Sequence, residues 1–181
     1  NKIIQVHPLS NNLELLKDGN SIFLMQPSHL QQSKKTLDYI SSLNKKKSVS
    51  IYFGNTKKDS LFASIYRAEA IKKGYTITTF RKFNGMLQKL LPETGHVFLA
   101  TDNNHGIKFL QSISISKITT EVICTASSFA WEKSPASSFT ENISLIYPEF
   151  VSKDKEQVRN FDKTFVERMA AQPSFYAFAG Y

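Results

Sequence analysis

Hydrogen-bonding side chains gather in three short stretches of this sequence: Gly54-Asn-Thr-Lys-Lys-Asp59, Thr101-Asp-Asn-Asn-His-Gly106 and Ala126-Ser-Ser-Phe-Ala-Trp131. Each follows an apolar, β-rich run. Asn55, Thr56, Thr101, Asp102, Asn103, Ser127 and Ser128 offer donors and acceptors, while Phe129 and Trp131 offer aromatic walls. Such a set suits holding a small polar molecule better than transforming one. Ser, Asn and Asp also favour turns for backbone reasons of their own. The residues therefore gain meaning only from where the fold places them.

Signatures of catalysis are missing. Gly54-Asn-Thr-Lys-Lys-Asp-Ser60 has one glycine and no GK[ST], so it is neither a dinucleotide loop nor a P-loop. No GxSxG elbow is present. His7, His29, His96 and His105 lack the spacing of a metal motif. His105, near Asp102, is the one acid/base candidate, as a strand-end loop residue. The sequence thus predicts no catalytic residue, no metal and no cofactor. A phospho-acceptor receiver would need acids after its first strand, and Tyr52-Phe-Gly-Asn55 supplies none. A flavodoxin-like enzyme would need a phosphate loop there and stands last among the alternatives.

The elements that must position these loops are legible from periodicity. Ser48–Phe53 reads as a strand and Ser60–Lys73 as a helix that Gly74 stops, with Tyr75–Phe80 the next strand. In that helix Leu61, Ile65 and Ala68 share one face, widened by Phe62 and Ile71, and this is the expected core stripe. Asn84 is expected to cap a short helix through Leu91 that Pro92 ends. His96–Ala100 is apolar throughout, as a central parallel strand should be. Further strands are expected at Thr120–Thr125 and Ile143–Tyr147. Helices are expected from Ser28, after Gly106, and from Asp154, where Gln157 completes a capping box. Five strands alternating with helices predict an α/β fold, a three-layer, doubly wound, mainly parallel sheet. In such sheets ligands sit at the carboxyl ends of the strands, and that is where the three polar loops fall.

The net charge of +8 comes from scattered lysine pairs, with no arginine-rich stripe and no interleaved aromatics. That distribution argues against nucleic acid as a partner. The single Cys124 lies in an apolar run and is expected to be buried. No apolar run is long enough to span a membrane.

The order of features resembles the type I periplasmic binding proteins, the branched-chain amino acid receptor-like ligand-binding family. Ile4-Gln-Val-His-Pro-Leu-Ser-Asn-Asn12, followed by Ile22-Phe-Leu-Met-Gln-Pro-Ser28 and a helix, is similar to the crossover into that family's second lobe. Ser48–Tyr75 resembles the first βαβ of the lobe and Val97–Asp102 its third strand. Phe161-Asp-Lys-Thr-Phe165 and Pro173-Ser-Phe-Tyr-Ala-Phe-Ala-Gly-Tyr181 resemble the stretch near its end. The resemblance implies a crossover or hinge segment over residues 1–27 and a single α/β lobe over 28–181, with an N-terminal lobe outside this sequence. It also implies a ligand held near Asn55, near Thr101 or Asp102, and near Ser127 or Ser128. Members usually place an aromatic at the first of these positions and an acid after the fourth strand. Here the first is Asn55 and residues 126–130 contain no acid, which leaves Asp102 as the available carboxylate.

The expectation is therefore a non-enzymatic lobe of an extracytoplasmic, periplasmic-type solute-binding or receptor protein. Its ligand would be a small polar or amino-acid-like molecule shared with a second lobe, and an ABC transporter would be a natural partner. The alternative is a cell-envelope protein-interaction module on the same fold, resembling activators of peptidoglycan synthases.

Overall fold

The computed structural model describes residues 5–7, 16–17, 22–24, 26–43, 45–85, 90–101, 103–125, 142–148, 151–174 and 177–178. The chain divides into two compact units, residues 29–147 and residues 1–28 with 148–181.

The 29–147 unit is built on a five-stranded sheet. Its strands are β3 (Ser48–Phe53), β4 (Thr76–Lys82), β5 (His96–Ala100), β6 (Glu121–Thr125) and β7 (Ile143–Ile146), numbered after two short strands of the other unit. They lie in the order β4-β3-β5-β6-β7. Every pairing is parallel, with Val49 opposite His96, His96 opposite Glu121 and Val122 opposite Ile143. Helices α1 (His29–Ser42), α2 (Lys57–Lys72) and α3 (Asn103–Ser116) alternate with the strands.

Strand side chains alternate between faces, and in this sheet both faces are apolar. Val49, Ile51, Phe98, Ala100 and Ile123 pack on one face with Leu37 and Ile40 of α1 and Phe62, Ala63, Tyr66 and Ala70 of α2. Tyr52, Val97, Leu99, Val122 and Cys124 pack on the other with Phe83 and with Phe109 and Ile113 of α3. The result is three layers, helices–sheet–helix, as the strand pattern predicts. β5 is buried along its whole length at the middle of the sheet, and Cys124 is fully buried. Burial pushes the Cys124 thiol far above its usual range, which makes it inert.

α2 is closed at both ends by local chemistry. Thr56 and Asp59 form a capping box: Asp59 N donates to Thr56 Oγ1 at 3.1 Å and Thr56 N donates to Asp59 Oδ2 at 3.3 Å. Gly74, at φ +79°, turns the chain out of the helix, where an L side chain would be strained.

The inward face of α2 differs from the expected one. Asp59, Phe62, Ala63, Tyr66, Glu69 and Ala70 are buried, whereas Leu61 and Ile71 are 54% and 52% exposed. The helix is apolar on two faces, and the wider aromatic side, Phe62 with Tyr66, won the sheet. Leu90 and Leu91 are not helical, and residues 86–89 of the helix expected there lie outside the described residues.

In the other unit, β1 (Gln5–His7) and β2 (Ile22–Leu24) form a parallel pair. α4 (Glu156–Met169) begins at Lys155 without a side-chain cap, so Asp154 and Gln157 do not form the expected capping box. The Asp154 side chain instead accepts from Ser152 Oγ at 3.0 Å, and its carbonyl accepts from Arg159 Nη1 at 2.7 Å. Phe161 packs on Phe165 and Phe178, with ring centroids 5.6 and 5.1 Å away.

Candidate functional site

The strand order creates one topological switch point. From β3 the chain crosses through α2 to β4 on one side, then returns past β3 to β5 on the other. The carboxyl ends of β3 and β5 are therefore where an open parallel sheet leaves a crevice for a ligand. Two of the three polar loops expected to bind begin there: Gly54–Thr56 after β3 and Thr101 after β5.

Three strand ends are tied together at this rim. Gly54 N donates to Ala100 O at 2.8 Å, joining the β3 and β5 loops. Thr101 N donates to Thr125 Oγ1 at 3.0 Å, and the same hydroxyl donates to Leu99 O at 3.2 Å, joining β5 to β6. Gly54 is also a close-approach position. A Cβ there would stand 2.6 Å from Asp59 Oδ2 and 3.5 Å from Thr101 Cα. The buried Asp59 carboxylate thus fills the space beneath Gly54 while it caps α2.

Of the expected site residues, Asn55 and Thr56 are exposed at this rim, and Thr101 is buried beside them. Thr56 serves as the N-cap of α2, so its hydroxyl already accepts one backbone hydrogen bond. Asp102, Ser127, Ser128 and Phe129 lie outside the described residues. So does Trp131. Asn103 and His105 fall within the first turn of α3 rather than in a strand-end loop, because the helix starts directly after Asp102. Among the described residues no group of His, Cys, Asp and Glu could hold a metal ion.

Two further residues belong to this edge. Thr125 orders the backbone of Thr101, a role that a threonine ending a β-rich run does not advertise. His29, at the start of α1, stacks on Phe62 with ring centroids 4.2 Å apart and planes 8° from parallel. Burial, and secondarily the Lys58 ammonium, hold its imidazole below the usual range. Its neighbourhood is therefore cationic: Lys57 and Lys58 occupy the exposed first turn of α2, whose backbone N–H groups add to the positive potential.

No family model matches the chain, and no curated relative does. Solved structures do. A Rhodospirillum rubrum protein described as a branched-chain amino acid ABC transporter superposes with a TM-score of 0.77 at 15% identity, covering 99% of this chain and 54% of its own. An ABC transporter substrate-binding protein from Desulfitobacterium hafniense gives 0.69 at 18% identity, covering 99% and 54%. A complex with Leu from the same organism gives 0.67 at 18% identity, covering 98% and 54%. The chain spans about half the length of each of these structures. At such identities the likeness carries architecture alone: this chain has the α/β fold of about half of each of these substrate-binding structures.

Proposed function

We propose that the chain is a non-enzymatic lobe of an extracytoplasmic binding protein, holding a small polar or amino-acid-like molecule at the carboxyl ends of β3, β5 and β6. The observation that carries this reading is the tied rim at the switch point, where Gly54 is bonded to Ala100 and Thr101 to Thr125. A rim fixed by these hydrogen bonds would present Asn55, Thr56 and Thr101 in one arrangement, so little ordering cost falls on binding. Asp102, Ser127, Ser128 and Phe129 would complete the ligand's surroundings from the adjoining loops.

Because the chain spans about half of its structural neighbours, a second lobe would supply the opposite wall of the crevice, and hinge closure would bury the ligand. Docking to an ABC transporter and a periplasmic or other extracytoplasmic location follow from the same reading. The Desulfitobacterium complex with Leu supports an amino-acid-like ligand. No helix of the described residues is long and apolar enough to cross a membrane.

The test is thermal stabilisation of the two-lobed protein by amino acids, short peptides, sugars and peptidoglycan fragments. A saturating shift with one class, lost in Asn55→Ala and Thr101→Val, is the expected result. No shift with any class would overturn the reading.

A further inference from the structure

The polar and apolar residues of α2 are unusually partitioned between its two sides. Both of its acids are inside, Asp59 at 7% and Glu69 at 5% exposure, and so are both aromatics, Phe62 and Tyr66. The outer arc carries the four cations of the helix, Lys57, Lys58, Arg67 and Lys72, around an apolar stripe of Leu61, Ile65, Ala68 and Ile71. The stripe recurs at helical spacing, as a core face would, yet Leu61 and Ile71 are more than half exposed. Neighbouring α1 adds Lys34 and Lys35 to the exposed surface of the same layer.

We infer that this outer face of α2 is a docking surface for an acidic amphipathic helix of a partner protein. Three features select that occupant. The apolar stripe runs about 15 Å along the helix axis, the length of roughly three turns of a facing helix. Ala68 leaves a notch between Leu61 and Ile71, into which a facing side chain can seat as ridges enter grooves. Lys72 is paired with Glu69 at 2.6 Å and Arg67 stands over the Phe80 ring, so it is Lys57 and Lys58, at the amino end of the stripe, that are complementary to glutamates or aspartates beside the partner's apolar stripe. A second copy of this chain would oppose cation to cation, and the net charge of +8 adds to that repulsion. Interfacial helices commonly add Trp or Phe to a leucine stripe, and the aromatics of α2 face inward, so a lipid surface is left to the vesicle arm of the test.

The experiment uses the full-length protein and a synthetic helical peptide with leucines along one stripe and glutamates on both flanks. A scrambled peptide of the same composition is the control. Saturable binding of the amphipathic peptide alone is expected, weakened about tenfold by Leu61→Ser or Ile71→Ser and weakened by added salt. In Leu61→Cys the new thiol should react with maleimide while buried Cys124 stays silent, and bound peptide should protect it. Equal binding of the scrambled peptide, or binding indifferent to both serine variants, would overturn the inference. Binding to phosphatidylglycerol vesicles in place of the peptide would do the same, as would an unreactive Leu61→Cys in the full-length protein.

Discussion

The Tyr66 hydroxyl lies 2.8 Å from His96 Nε2, and both side chains are fully buried between α2 and the sheet. The imidazole ring also meets the ring of Tyr75 edge-on, with centroids 5.4 Å apart. Burial lowers the His96 pKa from 6.5 to about 4, opposed only by the Ser48 backbone beside it. The neutral ring is therefore part of the core.

An acid-sensitivity prediction follows from that depressed value. As pH falls through 6.5 the unfolded chain takes up a proton that the folded chain refuses until about 4. Stability is full above the unfolded value and drains across that window, by about 3 kcal/mol in total. His29, also depressed, adds loss of the same sign. Urea unfolding above and below the window should show a clearly shallower pH dependence in His96→Gln than in the parent. An unchanged slope would assign the acid sensitivity elsewhere.

Gly54→Ala should destabilise the protein by about 1–3 kcal/mol, because its Cβ would press on the Asp59 carboxylate that caps α2. Chemical denaturation measures it. The rim should suffer as well, so ligand binding is expected to weaken more than global stability alone explains.

Thr125→Val keeps the shape of the side chain and removes the acceptor for Thr101 N. Loss of that part-buried hydrogen bond should cost about 1 kcal/mol. Amide hydrogen exchange should report faster exchange at Thr101 than in the parent, with the α1 core unchanged.

Thr56→Ala should cost about 1 kcal/mol by removing one half of the capping box, read as a fall in the denaturation midpoint. Thr56→Ser, which keeps the hydroxyl, should retain most of the stability. Equal losses in both would mean that the cap is not what Thr56 contributes.

The sheet was readable because its strands carry unbroken or alternating apolar runs bounded by glycine and polar turns. His96–Ala100 announced a central strand, and it occupies the centre. The face of α2 was not readable, since Leu61, Ile65 and Ile71 are as apolar as Phe62, Ala63 and Tyr66. Periodicity alone cannot choose between two apolar faces; the volume offered by Val49, Ile51 and Phe98 decides it. The start of α4 misled for another reason. The Asp154 carboxylate bonds Ser152 locally, so it is not spent on the helix. The placement of Asn55, Thr56 and Thr101 at strand ends was readable, because each follows a β-rich run. Thr125 was hidden, because its role depends on a strand pairing that no local pattern specifies.

The position of β5 also dictates how this sheet can be assembled. β3 finds β4 nearby in sequence, across one helix, but its pairing of Val49 with His96 spans the whole of α2 and β4. The β3–α2–β4 unit can gather first as a local nucleus, whereas the centre of the sheet closes only after a long loop has paid its entropy. Until then Ile51 and Tyr52 sit on an open apolar edge of β3. Refolding should accordingly be slow for a chain of this size and prone to association at high concentration, a liability of the same central strand that is buried along its whole length in the finished sheet.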